Sequence, residues 1–271
     1  MKALRGKRVG IIGAGKMGQA LIKGLLARGV PVRSIGAADT NPATRREVSR
    51  RFGVRVSGDS IAVVRRTDIV LLAVKPQQCP GALKAIAAHL TRRQLVISIA
   101  AGITLRWLQG RLPGVPIVRV MPNLPATVGC GFSAITLGRS AGARHRAMAA
   151  ALFEAVGEVV ELPERYFDAI TAVSGSGPAY VFFLVQAWEE AARRLKLPPA
   201  VASRAIRRTL TGGLRLLEGT GDAPGVLIAK VASKGGTTEA ALSVLERRRV
   251  AAHLVEAVRA AAKRSKELTC R

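Results

Sequence analysis

One stretch near the start constrains this chain most. Residues 8–12 read as a buried strand, Gly13-Ala14-Gly15-Lys16-Met17-Gly18 follows, and residues 15–28 place Met17, Leu21 and Leu25 on one helical face. A strand, a tight glycine turn and a helix in that order form the first unit of an open α/β sheet. Each glycine has a separate task there. The first makes the turn, the second lets the backbone approach a pyrophosphate, and the third lets helix and strand pack closely. The helix that opens after the turn presents unpaired N–H groups to an anion. The pattern therefore predicts a dinucleotide site built from Ile12 through Gly18. Asp39, at the end of the next predicted strand (34–38), suits the ribose hydroxyls of NAD. Thr40, Asn41, Arg45 and Arg46 suit the 2′-phosphate of NADP equally well, and the cofactor is read as NADP(H) or NAD(H).

The same alternation continues through the first half. Apolar runs at 54–56, 69–74, 95–99, 116–120, 132–137 and 158–161 read as strands, with helices at 41–52, 61–66 and 82–90 between some of them. Runs apolar on both faces and joined by short links predict a parallel, doubly wound Rossmann sheet. Beyond Pro163 the texture changes to long helical segments at 178–195, 199–217, 238–247 and 250–268. The expected organisation is a dinucleotide-binding Rossmann domain over 1–163 and an all-helical domain over 164–271. The helix opening at Pro178 is apolar on every side through Val185, so it needs partners all round.

Charge and cysteine content narrow the function classes. Lys and Arg number 43 against 17 Asp and Glu, a formal charge of +26 in 271 residues. Such a field attracts anions. The basic residues are scattered in small groups, with no basic tail and no aromatic-interleaved basic segment, so specific nucleic-acid binding is not expected. Cys79, Cys130 and Cys270 lack metal-ligand or disulfide spacing, which suits a reducing cytoplasm, and no metal site is expected. The apolar run after the basic N-terminus is broken by Gly13, Gly15 and Lys16, and 179–185 is too short to span a bilayer. No targeting or membrane segment is predicted.

Five further segments carry a resemblance. They are Ala73-Val74-Lys75-Pro76, then 98–104 (Ser-Ile-Ala-Ala-Gly-Ile-Thr), 119–123 (Arg-Val-Met-Pro-Asn), 174–180 (Ser-Gly-Ser-Gly-Pro-Ala-Tyr) and 235–240 (Gly-Gly-Thr-Thr-Glu-Ala). In this order and spacing the chain, from about residue 7 to 268, closely resembles the pyrroline-5-carboxylate reductases. The resemblance implies reduction of 1-pyrroline-5-carboxylate to L-proline, the last step of proline synthesis. It also implies an all-helical dimerisation domain, interleaved in a homodimer that is often assembled into a ring. Ala73, Val74, Lys75, Pro76, Ala100, Ala101 and Gly102 would line the nicotinamide, and Ser60 would stand at the ribose or phosphate. N–H groups near Gly236, Thr237 and Thr238, with Ser233, would hold the substrate carboxylate. Thr238 would reach the ring nitrogen, Lys75 is the second catalytic candidate, and Glu164 would lie near the substrate.

Each assignment has a plainer alternative. Lys75 suits a solvated strand end, Thr237 and Thr238 suit a helix N-cap, and Glu164 suits a solvated loop. Asn123 suits a turn. The chain also departs from the family pattern. Lys234 replaces a proline, Ile228-Ala229 a Lys-Asp-like pair, Leu124 a threonine and Ser60 an asparagine. Two rival readings stay open on these grounds. One is a reductase of another cyclic imine or imino acid, and the other is a non-catalytic relative that uses its basic surface to bind a partner.

Overall fold

The protein's structure, a computed structural model, describes residues 1–269; Cys270 lies outside them. The chain divides into two compact units. One comprises Met1–Ser176 together with the chain from Ala261; the other is Gly177–Ala260.

The first unit is built on one eight-stranded sheet. Its strands are β1 Val9–Ile12, β2 Ile35–Ala38, β3 Arg55–Ser57, β4 Ile69–Leu72, β5 Leu95–Ser98, β6 Ile117–Met121, β7 Gly131–Leu137 and β8 Gly157–Glu161. Their spatial order is β3-β2-β1-β4-β5-β6-β7-β8. The sheet is mostly parallel, as the apolar runs imply, and the order from β3 to β6 is the doubly wound Rossmann order. The last two strands run against the others, because β7 pairs antiparallel with β6 and β8 parallel with β7. Only a short 3-10 turn, Leu124–Val128, links β6 to β7. A parallel return needs a longer crossover, usually a helix.

Helices cover both faces. The helices are α1 Lys16–Ala27, α2 Pro42–Phe52, α3 Ser60–Val64, α4 Cys79–Ile86, α5 Leu105–Arg111, α6 Ala143–Phe153 and the short α7 Phe167–Ile170. Leu21, Leu25, Val48, Leu152 and Phe153 from α1, α2 and α6 pack on Ile11, Ile35 and Leu71. Val64, Leu83, Ile86 and Leu108 from α3, α4 and α5 pack on Ile12, Val70 and Val96. Successive residues of β1 and β4 thus feed opposite cores, which is why those strands are apolar throughout. The sequence pattern does not mark α5 or α6. In α6 the run Ala-Arg-His-Arg-Ala-Met-Ala-Ala-Ala-Leu-Phe lacks a clean apolar stripe.

The second unit is helical, with α8 Gly177–Arg194, α9 Pro199–Thr220, α10 Pro224–Val231, α11 Thr237–Arg247 and most of α12 Val250–Leu268. Among the described residues of α8 to α12, only Ala202 is buried. Phe182 and Phe183 on α8 are 59% and 69% exposed, and Trp188 lies open beside them. Contiguous apolar surface of this extent marks a protein contact face. The helical run Glu164–Arg194 is also long and apolar enough to cross a membrane by length and composition.

Candidate active site

The glycine turn is held by backbone geometry at its first and last positions and not at the middle one. Gly13 has φ +99°, in the left-handed region. A Cβ there would also lie 2.8 Å from the Ala73 carbonyl group. At Gly18 a Cβ would stand 2.5 Å from the Gly13 carbonyl oxygen. Gly15 differs, since its φ is −71° and a Cβ there would meet nothing within 4 Å. It is the N-cap of α1, with no side-chain cap and no acidic residue in the first turn. The N–H groups of Lys16, Met17 and Gly18 therefore lead α1 with no carboxylate among them.

Around this turn the ends of four neighbouring strands meet. The Gly13 N–H donates to the Ala38 carbonyl at 2.8 Å, the Ala73 N–H to Ile12 at 2.8 Å, and the Ile99 N–H to Leu72 at 3.1 Å. The carboxyl ends of β2, β1, β4 and β5 thus form one continuous edge, bringing Ile12 to Gly18, Asp39, Ala73 to Pro76 and Ala100 to Gly102 together. Ligands of open α/β sheets bind along this edge, at the switch between β1 and β4.

Asp39 is fixed in place. Its Oδ2 accepts from the Ala14 N–H at 2.9 Å and its Oδ1 from the Asn41 N–H at 2.8 Å. One charged group therefore binds the glycine turn to the loop after β2. Asn41 is the N-cap of α2 and accepts from the Ala43 N–H at 2.8 Å. Arg45 donates through Nη1 to the carbonyls of Asp39 and Thr40, both at 3.0 Å. Its guanidinium is committed to the loop, whereas Arg46 is exposed on the same helix. Ser60 opens α3 behind its N-cap Asp59, and Lys75 is exposed at the end of β4.

Glu164 is no solvated loop carboxylate. Its Oε1 accepts from the Leu105 N–H at 2.7 Å and from Arg119 Nη1 at 2.8 Å. Arg119 is only 5% exposed, on β6, with its guanidinium 4.7 Å from the centre of the Phe167 ring. Asn123 is more than a turn residue: its Nδ2 donates to Ser174 Oγ at 3.0 Å and its Oδ1 accepts from the Phe132 N–H at 2.9 Å. Residue-by-residue reading misses both roles. The available signal is a lone charge inside the apolar run 117–120, which a strand buries only when paired.

In the second unit the loop before α11 has a defined shape. Gly235 has φ +72°, and a Cβ on Gly236 would lie 2.5 Å from Ser233 Oγ. The N-cap of α11 is Gly236, without a side-chain cap, so neither Thr237 nor Thr238 serves as N-cap. Both stand in the first turn, with their N–H groups at the positive end of the helix. Glu239, which sequence reading does not single out, accepts from the Gly235 N–H through Oε2 at 2.6 Å. Lys234 is exposed. Lys230 pairs with Asp222 at 2.6 Å, just beyond the altered Ile228-Ala229 positions.

A doubly wound sheet with this turn and a fixed acid after β2 defines a dinucleotide-binding protein. Residues 8–102 match the family model described as NADP oxidoreductase, coenzyme F420-dependent. Residues 164–268 match that for pyrroline-5-carboxylate reductase dimerisation. The chain is 41% identical to a pyrroline-5-carboxylate reductase of Arabidopsis thaliana, over 97% of this chain and 95% of the relative. One from Synechocystis is 40% identical over 96% and 98%. A solved pyrroline-5-carboxylate reductase structure from Coxiella burnetii superposes with a TM-score of 0.88 at 32% identity, covering 98% of this chain and 99% of the other. A Plasmodium falciparum pyrroline carboxylate reductase with NADP bound gives 0.90 at 25% identity, over 98% and 99%. The chain belongs to the pyrroline-5-carboxylate reductase family, and it is an NAD(P)H-dependent oxidoreductase.

Proposed function

We propose that this chain reduces 1-pyrroline-5-carboxylate to L-proline, with the roles of its residues divided between the two units. The observation that carries the cofactor half is Gly15. Neither its backbone angle nor its packing calls for glycine, so the residue is explained by a ligand whose pyrophosphate passes close to the backbone. Ile12, Gly13, Ala14, Gly15, Lys16, Met17 and Gly18 cradle that pyrophosphate. Asp39 takes the adenosine ribose, with Thr40, Asn41 and Ser60 beside it. Ala73, Val74, Lys75, Pro76, Ala100, Ala101 and Gly102 line the nicotinamide half of the edge.

The dinucleotide supplies a hydride to the imine carbon. The protein must anchor the substrate carboxylate and favour the protonated imine nitrogen. The uncapped first turn of α11 suits the anchoring: N–H groups near Gly236, Thr237 and Thr238, with Ser233 alongside, hold the carboxylate. The Thr238 hydroxyl hydrogen-bonds the ring nitrogen and water donates the proton, a hydroxyl being a poor general acid at neutral pH. Lys75 adds positive charge at the cofactor edge. Glu164 stands near the substrate, with Oε1 already committed to Leu105 and Arg119.

The boundary proposed at 163/164 is supported by the dimerisation match that begins at residue 164, whereas the compact units divide after Ser176. The exposed apolar face of α8 is assigned to a homodimer, and a ring of dimers is the larger assembly proposed. On this reading the α8 part of the run Glu164–Arg194 faces another subunit rather than lipid, the enzyme is cytoplasmic, and no specific nucleic acid is bound. A second reading, reduction of another cyclic imine, is favoured by Lys234 in the loop where the family has proline, because loss of proline loosens a loop.

The test is oxidation of NADH and NADPH, followed by absorbance, with pyrroline-5-carboxylate and with other cyclic imino acids. No turnover of pyrroline-5-carboxylate with either cofactor sinks the first reading. Thr238→Ala is expected to lower turnover while leaving dinucleotide affinity nearly intact. Equal loss of both would make the loop structural.

A further inference from the structure

A second feature converges on the loop that follows β5. Gly102 has φ +75° and is buried, and a Cβ there would lie 2.6 Å from the Leu268 carbonyl oxygen at the end of α12. The last turn of α12 therefore lies directly behind the loop, within the first unit. It is fastened there by Ser265, whose hydroxyl donates to Asp168 Oδ1 at 2.7 Å. The Thr269 hydroxyl donates to the Ser265 carbonyl at 3.0 Å, with the same Asp168 oxygen 3.5 Å away.

Asp168 belongs to the turn that also supports the far end of the loop. Within residues 164–168, Glu164 accepts from the Leu105 N–H, Phe167 stacks under Arg119, and Asp168 holds Ser265. Thr104 lies between the two supports and caps α5, accepting from the Trp107 N–H at 3.1 Å. The loop is thus pinned at Gly102 by α12 and at Leu105 by Glu164, and the two pins share one helical turn. Its exposed residue is Ala101, at the carboxyl end of β5 and on the nicotinamide half of the edge.

We infer that the last turn of α12 is a backing clamp for the nicotinamide loop, and that Ser265 and Asp168 are positioning residues for the cofactor. Neither touches the cofactor; they act through Gly102. The inference rests on the proposed placement of the nicotinamide along this edge. Its consequence is specific to one end of the ligand. Loosening the clamp weakens the hold on the nicotinamide and leaves the adenosine end, gripped by Asp39 and the glycine turn, as it was.

The test uses the full chain with Ser265→Ala, Asp168→Ala and Ser265→Thr, the last keeping a hydroxyl. Affinities for NADH, NADPH and ADP-ribose, which lacks the nicotinamide, are measured by fluorescence titration, with melting temperatures alongside. A lost hydrogen bond to a carboxylate predicts a roughly three- to tenfold rise in Kd for NADH or NADPH in Ser265→Ala and Asp168→Ala. ADP-ribose affinity is expected to be unchanged, and Ser265→Thr to restore the reduced dinucleotide. Unchanged NADH and NADPH affinity in Ser265→Ala overturns the clamp, as does equal weakening of ADP-ribose. Failure of the unmutated protein to bind either dinucleotide overturns instead the placement of the cofactor on which the clamp rests.

Discussion

Replacing Gly15 by alanine separates what the glycine turn does for the fold from what it does for a ligand. The added Cβ meets nothing within 4 Å, and φ of −71° is open to any residue. Two small terms act on stability. Alanine is a poorer N-cap than glycine by about 0.5–1 kcal/mol. Against that, removing glycine restricts the unfolded chain and contributes about 0.4–1 kcal/mol. The two nearly cancel, so the melting temperature is expected to move by no more than about 2–3 °C. Gly18→Ala is the opposing control, since its Cβ would stand 2.5 Å from the Gly13 carbonyl oxygen. Backbone must shift there, at about 1–3 kcal/mol. Dinucleotide affinity, by fluorescence titration, should fall at least about tenfold in Gly15→Ala, the equivalent of about 1.4 kcal/mol. A Gly15→Ala protein that binds NADH and NADPH like the parent would refute the assignment of the turn. A large loss of stability would refute the packing argument.

Three further outcomes are expected. Glu164→Gln leaves the buried Arg119 without a charged partner and should destabilise by about 3–5 kcal/mol, read by denaturant unfolding; a change under about 1 kcal/mol would mean that Arg119 has enough other support. His145 has its pKa lowered, first by burial and then by the neighbouring Arg144, and its Nδ1 accepts from the Gly142 N–H at 3.1 Å at the start of α6. The unfolded state then binds the proton more readily, so this contribution is complete above the ordinary imidazole value of about 6.5 and is lost as pH falls below it towards the lowered folded pKa. Melting curves of the parent should flatten towards those of His145→Gln across that window, and parallel curves would dismiss the linkage. Phe183→Glu, on the exposed face of α8, should convert oligomer to monomer in size-exclusion chromatography with light scattering; an unchanged oligomer would place the contact face elsewhere.

Much of the fold was legible because its determinants are local. The first two strands, the glycine turn and the acid after β2 all lie within the first 39 residues, and each stands where its pattern implies. What escaped was non-local or unpatterned. The α6 run carries no apolar stripe, and the reversed β7 and β8 depend on the link from Leu124 to Val128. Asn123 looks like a turn residue until Ser174 and Phe132 are brought to its side chain. The site divides in the same way. Asp39 was readable from its position, but its bonds to Ala14 and Asn41 were not. On the residues alone Thr237 and Thr238 suited an N-cap better than a ligand site, and only the backbone assigns that position to Gly236.

Five ordered motifs in the sequence carried the family, and periodicity and turn chemistry, which act over a few residues, carried the strands and the glycine turn. The tertiary structure decided which of those residues are held by other residues and which are left for a ligand. Gly13 and Gly18 are required by neighbouring backbone, whereas Gly15 faces open space. Glu164, an acid in a loop by sequence, becomes the partner of a buried arginine. Close approaches between distant segments set those differences, and a chain brings such segments together only when its core packs.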